Sequence, residues 1–152
     1  MLITVSSMSK LGALQDDQYL KSQVAVTAVE ASKIGDELYS IIADSIINHN
    51  MEETNKEWSK MKIDKEKLIQ EVIENSDTDE EKALASTAND AFHKYVDTYE
   101  NKLIPLLNSS SYNVEDAKEI DGQLDELKIE IKDSMTKISI SMQNELEESD
   151  NK

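Results

Sequence analysis

Apolar residues recur along this chain at spacings of three and four, and no stretch alternates convincingly with the period of two that marks a strand. Leu20, Val24, Thr27, Ala31, Ile34, Leu38, Ile41 and Ser45 fall on one seam. A second, thinner seam is carried by Trp58, Met61, Leu68 and Val72, with Lys65 sitting out of pattern. A third runs through Ala85, Ala88, Phe92, Tyr95, Tyr99, Leu103 and Leu106, and a fourth through Ile120, Leu124, Leu127, Ile131, Ile138 and Met142. One apolar stripe per segment, sustained over several turns, is the pattern of helices packed in a bundle.

Three short polar stretches divide the seams. Asn50 and Glu53, and again Thr78 and Glu81, have the spacing of a capping box, in which each side chain satisfies a free backbone donor of the first turn. Asn113 is the expected cap of the last helix, with Glu115 and Asp116 behind it at the positive end of the dipole. The spacing predicts helices over roughly 3–49, 51–75, 79–107 and 114–148. Residues 1–152 then form one all-α domain, an antiparallel up-down-up-down four-helix bundle with longer first and fourth helices. Pro105 lies inside the third seam, where it either kinks the helix or marks its end. Glu52 and Lys56 lie four apart on one face of the second helix.

Composition narrows the chemistry. Acids number 32 against 16 bases, a formal net charge of -16, and every base is lysine. Clustered Lys/Arg is what neutralises phosphate, so nucleic acid is excluded as a partner. The chain has no cysteine, which removes zinc fingers, redox CxxC motifs and iron–sulfur ligation. The opening Met1-Leu2-Ile3-Thr4-Val5 is far short of the ~20 apolar residues a bilayer requires, and it lacks the parts of a signal peptide. Taken alone, the stretch reads as a soluble piece.

Helix length adds a clue. The middle two helices are about 40–45 Å long at 1.5 Å per residue, and the outer two are longer by roughly ten residues each. In an antiparallel bundle both chain ends lie at one end, so the first and fourth helices project together past the turn joining the second and third. A bundle standing on two membrane spans has this shape.

The residues then resemble a known family. Asp79-Glu80-Glu81-Lys82-Ala83-Leu84, Ala91-Phe92-His93-Lys94-Tyr95 and Leu103-Ile104-Pro105-Leu106-Leu107 are similar to the third helix of the extracytoplasmic four-helix-bundle sensor domain of methyl-accepting chemotaxis proteins. Val114-Glu115-Asp116-Ala117 opening the fourth helix fits as well, as does Leu38-Tyr39-Ser40-Ile41-Ile42-Ala43 before the second. The resemblance spans nearly the whole chain. It implies a periplasmic or extracellular location on the cytoplasmic membrane, flanking transmembrane helices outside this stretch, and a homodimer through the first and fourth helices. It also implies a small-molecule ligand, or a periplasmic binding protein, at the membrane-distal end. Signal would pass as a small displacement of the fourth helix.

At that end the expected ligand-binding residues are Lys33, Tyr39, Trp58, Tyr99 and Tyr112. The last four are four of the chain's seven aromatics. They are either the wall of a small-ligand pocket or core aromatics whose polar tips reach the surface. The family's amino-acid receptors grip a ligand carboxylate with arginines from the distal first helix, and this chain has none. Lys33, the only base between Lys21 and Lys56, is a point charge without the bidentate fork. A cationic, neutral or metal ligand agrees better with the surrounding acids.

The remaining motifs offer no catalysis. Asp90 and His93 lie at i and i+3, but a bundle di-iron site needs two Glu-x-x-His pairs and two further glutamates. His93 is expected to face solvent beside Phe92 and Tyr95, and His49 to meet terminal carbonyls at a helix end. There is no nucleophile elbow and no glycine-rich phosphate loop. Met8, Met135 and Met142 are read as gap-filling core. The sequence is thus read as a non-enzyme without cofactor, catalytic residue or structural metal. Two other readings stay open: the sensor domain of a membrane histidine kinase, and a freestanding acidic helical-bundle interaction protein.

Overall fold

The computed structural model describes residues 5–48 and 51–150, with side chains over 10–47 and 51–150. Every regular element among them is helical. They are α1 (Val5–Ala31), α2 (Ile34–Asn48), α3 (Met51–Glu74), α4 (Asp79–Thr98), a π-helical turn (Tyr99–Leu103), α5 (Ile104–Leu107) and α6 (Val114–Asp150). The Asn50 cap, His49 and the side chain of Met8 lie outside the described residues.

Four helical rods pack together. α1 and α2 make one rod, α3 the second, α4 with its π turn and α5 the third, and α6 the fourth. α6 lies against α4 on one side and against α1 and α2 on the other, and α3 lies between the same neighbours. The core follows the seams: Ile34, Leu38, Ile42, Ile69, Phe92, Tyr95, Tyr99, Leu124, Ile131, Met135 and Ile138 are all fully buried. Each large aliphatic side chain so buried contributes about 1.5–3 kcal/mol. Lys65, out of pattern on the second seam, is only 13% exposed and forms an ion pair with Glu37 of α2. Leu20, assigned to the first seam, is 47% exposed; at this level the neighbouring Lys21 is the residue that meets α6.

Local capping places the helix ends as expected. Thr78 Oγ1 accepts from the Glu81 N–H at 3.1 Å, and the Glu81 carboxylate returns to the Thr78 N–H at 3.4 Å. Ser76 ends α3 by donating its hydroxyl to the Val72 carbonyl at 2.7 Å. Asn113 Oδ1 accepts from the Glu115 N–H at 2.9 Å and so starts α6.

Two features depart from the expected elements. The first predicted helix is two, broken at Ser32–Lys33. There the Lys33 N–H reaches back only three residues, to the Glu30 carbonyl at 3.1 Å, while the Ser32 hydroxyl donates to the Val29 carbonyl at 2.6 Å. The break seats Gly35 directly on α6. A Cβ there would stand 2.9 Å from Lys128 Cβ and 3.0 Å from Lys128 Cα, so only glycine permits the approach. The second feature is at Pro105, where the third helix does not end. A proline ring crowds the carbonyl four residues back. The chain makes room through the π turn, in which the Ile104 N–H bonds the Tyr99 carbonyl five residues before it. Helix then continues to Leu107.

Candidate functional site

Of the five expected binding residues, the structure brings two together. Trp58 on α3 and Tyr99 at the start of the π turn meet with ring centroids 4.2 Å apart and planes inclined at 56°. Both are buried. The indole N–H donates to Glu100 Oε1 at 2.9 Å, and Lys62 Nζ reaches the same oxygen at 2.7 Å. The Tyr99 hydroxyl is enclosed beside Ser45 without a well-formed hydrogen bond, while Ser45 spends its own proton on the Ile42 carbonyl at 2.6 Å.

Electrostatics follow from this packing. Burial pushes the Glu100 carboxyl up, but the hydrogen bonds from Lys62 and Trp58 outweigh it and hold the group below the usual carboxylate range. Burial pushes the Tyr99 phenol up, so it stays protonated at neutral pH. The arrangement is a buried aromatic pair with an ionised carboxylate and its counter-lysine at the rim. The two rings face each other in the core, and Trp58 and Lys62 already take up the Glu100 carboxylate. Lys62 and Glu100 carried no sequence signal, since charged residues are spread over every helix surface.

Tyr39 belongs to another seam. Its hydroxyl donates to Asp121 Oδ1 at 2.7 Å, and Lys128 Nζ lies 5.3 Å from its ring centroid. Lys128 also pairs with Asp125 at 3.1 Å and Asp36 at 3.4 Å. The bond to Asp121, then burial, pushes the Tyr39 phenol up to about 12. Beneath it the buried Tyr95 hydroxyl points to the Gly35 carbonyl at 3.5 Å. Lys33 is exposed in the break between α1 and α2, and Tyr112 is 45% exposed before α6. Among the described residues, no hydrogen bond, ion pair or ring contact joins Lys33, Tyr39 or Tyr112 to the Trp58–Tyr99 pair.

Grooves run between the rods. One of about 460 Å³ lies between α2 and α3, lined by Ser40, Ile41, Glu57, Lys60, Met61 and Asp64. Another, of about 720 Å³, lies between α1 and α6 at the opposite end and includes Leu11, Leu14, Gln18, Lys21 and Ser149. His93 is half exposed, in edge contact with Phe92 at 5.6 Å and 3.9 Å from Glu66. No three or more His, Asp or Glu among the described residues are grouped to hold a metal. No described helix is long and apolar enough to cross a membrane. Comparison with protein-family models, with curated protein sequences and with solved structures returned no match.

Proposed function

We propose that this chain is the extracytoplasmic ligand-sensing bundle of a transmembrane chemoreceptor, with its four rods arranged up-down-up-down. The order of the cross-rod partners supports the arrangement. Ala25, Asp36 and Tyr39 meet Ser139, Lys128 and Asp121, so numbers rise along one rod as they fall along the other. Thr27 and Glu37 meet Glu71 and Lys65, while Trp58 and Glu66 meet Glu100 and His93. Glu81 and Lys102 meet Ser141 and Gln123 in the same descending sense.

The observation that carries the functional reading is the stem. Lys21 stands level with Asp77 in the turn between α3 and α4, and α1 runs on from there to Val5, ~24 Å at 1.5 Å per residue. α6 continues past the same level from Glu145 to Asp150, with Gln18 bonded to Ser149 at 2.6 Å. α1 leaving one end of the bundle, with α6 beside it as far as Asp150, suits attachment to membrane spans. In this reading Trp58, Tyr99 and Glu100 lie toward the membrane-distal end, with the exposed Tyr112 and Lys33 as peripheral contacts. A small molecule or a periplasmic binding protein engages that end, and two copies pair through α1 and α6. Ligand shifts a two-state equilibrium by its difference in affinity for the two states, and α6 carries the displacement. With no arginine in the chain and Lys62 already bonded to Glu100, a cationic or neutral ligand suits the site better than a dicarboxylate.

Two measurements test this. The complete gene product is expected to carry apolar runs of ~20 residues on both sides of this stretch. Hydrophilic flanks would overturn the receptor reading in favour of a freestanding bundle, and a kinase module after the second run would make it a histidine kinase sensor. A thermal-shift screen with amines, neutral amino acids, organic acids and metal ions should give hits among the first two, since binding to the folded state raises apparent stability. Dicarboxylates as sole hits would overturn the ligand class.

A further inference from the structure

Where α3 turns into α4, three elements meet around one ammonium. Lys21 of α1 lies 2.5 Å from Glu145 of α6 and 3.3 Å from Asp77 in the turn, and its side chain is 19% exposed. Beside Glu145 sits Glu81, fully buried. Its Oε2 accepts from the Asp77 N–H at 3.0 Å and the Thr78 N–H at 3.4 Å, and its Oε1 from the Ser141 hydroxyl at 2.8 Å. Glu145 lies close enough to Glu81 to act on the charge of its carboxyl. Glu80, Lys137 and Glu148 line the grooves around the junction.

The two carboxylates are not equally provided for. Glu81 has three donors from the turn and from α6 whether or not Lys21 is present. Glu145 has Lys21. On the bundle side of Lys21, α1 is held by apolar burial of Val24, Ala25 and Ala28. On the stem side, Leu11 and Leu14 are each 59% exposed, and the Gln18–Ser149 bond is exposed too. Lys21 is therefore the last largely buried contact before the stem.

We propose that Lys21 is a latch. It holds α1, the α3–α4 turn and α6 together at this end, and its departure frees the stem part of α1 and the last turns of α6 while the core stays closed. The same geometry fixes how the latch responds to pH. With Lys21 in place, the donors to Glu81 outweigh its burial and hold its carboxyl below the ordinary value of 4.5, so Glu81 takes up no proton on closing near neutral pH. Without Lys21, closing the junction sets the Glu145 carboxylate beside Glu81 with no counter-charge of its own, and the closed form retains a proton that the open form releases. A group whose closed-state pKa is raised favours closure at low pH and loses that contribution as pH rises. The inference concerns this chain alone and does not depend on the receptor reading.

Hydrogen exchange read by mass spectrometry on the whole chain tests it, with rates divided by intrinsic rates. In Lys21→Met, peptides around 17–26 and 141–150 should lose protection relative to wild type. The loss should grow with pH by up to about tenfold per unit, the limit for one linked proton. Peptides covering Phe92–Tyr99 and Ile131–Ile138 should stay protected. Lys21→Arg should behave as wild type, and Lys21→Met/Glu145→Gln should lose the pH dependence. Glu145→Gln alone should loosen the same end without a pH trend. Unchanged protection at that end in Lys21→Met or in Glu145→Gln would overturn the latch. So would uniform loosening of the bundle, or a Lys21→Met chain that fails to fold, because Lys21 would then be a global support.

Discussion

Trp58 donates its indole N–H to the Glu100 carboxylate at 2.9 Å, across the gap between α3 and the π turn. Glu100→Ala leaves that buried donor unpaired and should cost about 1–3 kcal/mol, toward the lower end because the carboxylate is one-third exposed. Glu100→Gln keeps an acceptor and should cost less. The chain's one tryptophan is the reporter, so urea unfolding followed by its fluorescence measures both variants. Equal losses would show that the acceptor is unimportant.

Two of the three helical glycines, Gly35 and Gly122, should respond to alanine in opposite directions. Gly35→Ala must displace Lys128, including its backbone, and should destabilise by about 1–3 kcal/mol. At Gly122 a Cβ meets nothing within 4 Å. Gly122→Ala therefore gains only helix propensity and should stabilise by roughly 0.5–1 kcal/mol. Midpoints of urea denaturation decide both signs.

Acid should act through Glu81. Its carboxyl is depressed in the folded state, so its contribution is present above the ordinary value of 4.5 and fades as pH falls through the folded pKa. Glu81→Gln should lose about 1–2 kcal/mol at pH 7, through weaker capping and a weaker tie to Ser141. The gap should narrow below pH 4.5, where the wild type protonates. Thermal melts from pH 7 to 3 would show a constant gap if the charge were irrelevant.

Alkali should act through Tyr39. Asp121 and burial raise its pKa from 10.0 to about 12, so the neutral phenol stabilises the fold below 10 and that contribution is lost as pH rises through 12. Tyr39→Phe should cost about 1 kcal/mol at pH 7 for the lost hydrogen bond. Its disadvantage should shrink between pH 10 and 12 in urea unfolding, and a gap that widened would contradict the assignment.

How much of this the sequence carries depends on how local each cause is. The start of α4 is spelled out by Thr78 and Glu81 within four residues, and that of α6 by Asn113. The break at Ser32–Lys33 has no such spelling. The apolar seam passes through Ala31 and Ile34 without interruption, neither residue at the break is a helix breaker, and the close approach that follows it, of Gly35 to Lys128, is to a residue far along the chain. Periodicity also assigns a level along a rod better than it assigns a neighbour. It grouped Tyr39 with Trp58 and Tyr99, whereas Tyr39 turns to α6 and the other two face each other between α3 and the π turn. Lys62 and Glu100, which complete that pair, resemble any surface charges in a chain so rich in them.

The joints at Ser32–Lys33 and Tyr99–Leu103 also divide the rods by stiffness. A push or twist entering either of those rods meets a point where regular backbone bonding lapses and bending is cheap. α6 runs 37 residues from Val114 to Asp150 in a single α-helix, ~55 Å without such a joint. α6 is therefore the stiffest of these three rods along its length, while its jointed neighbours have a point at which to bend.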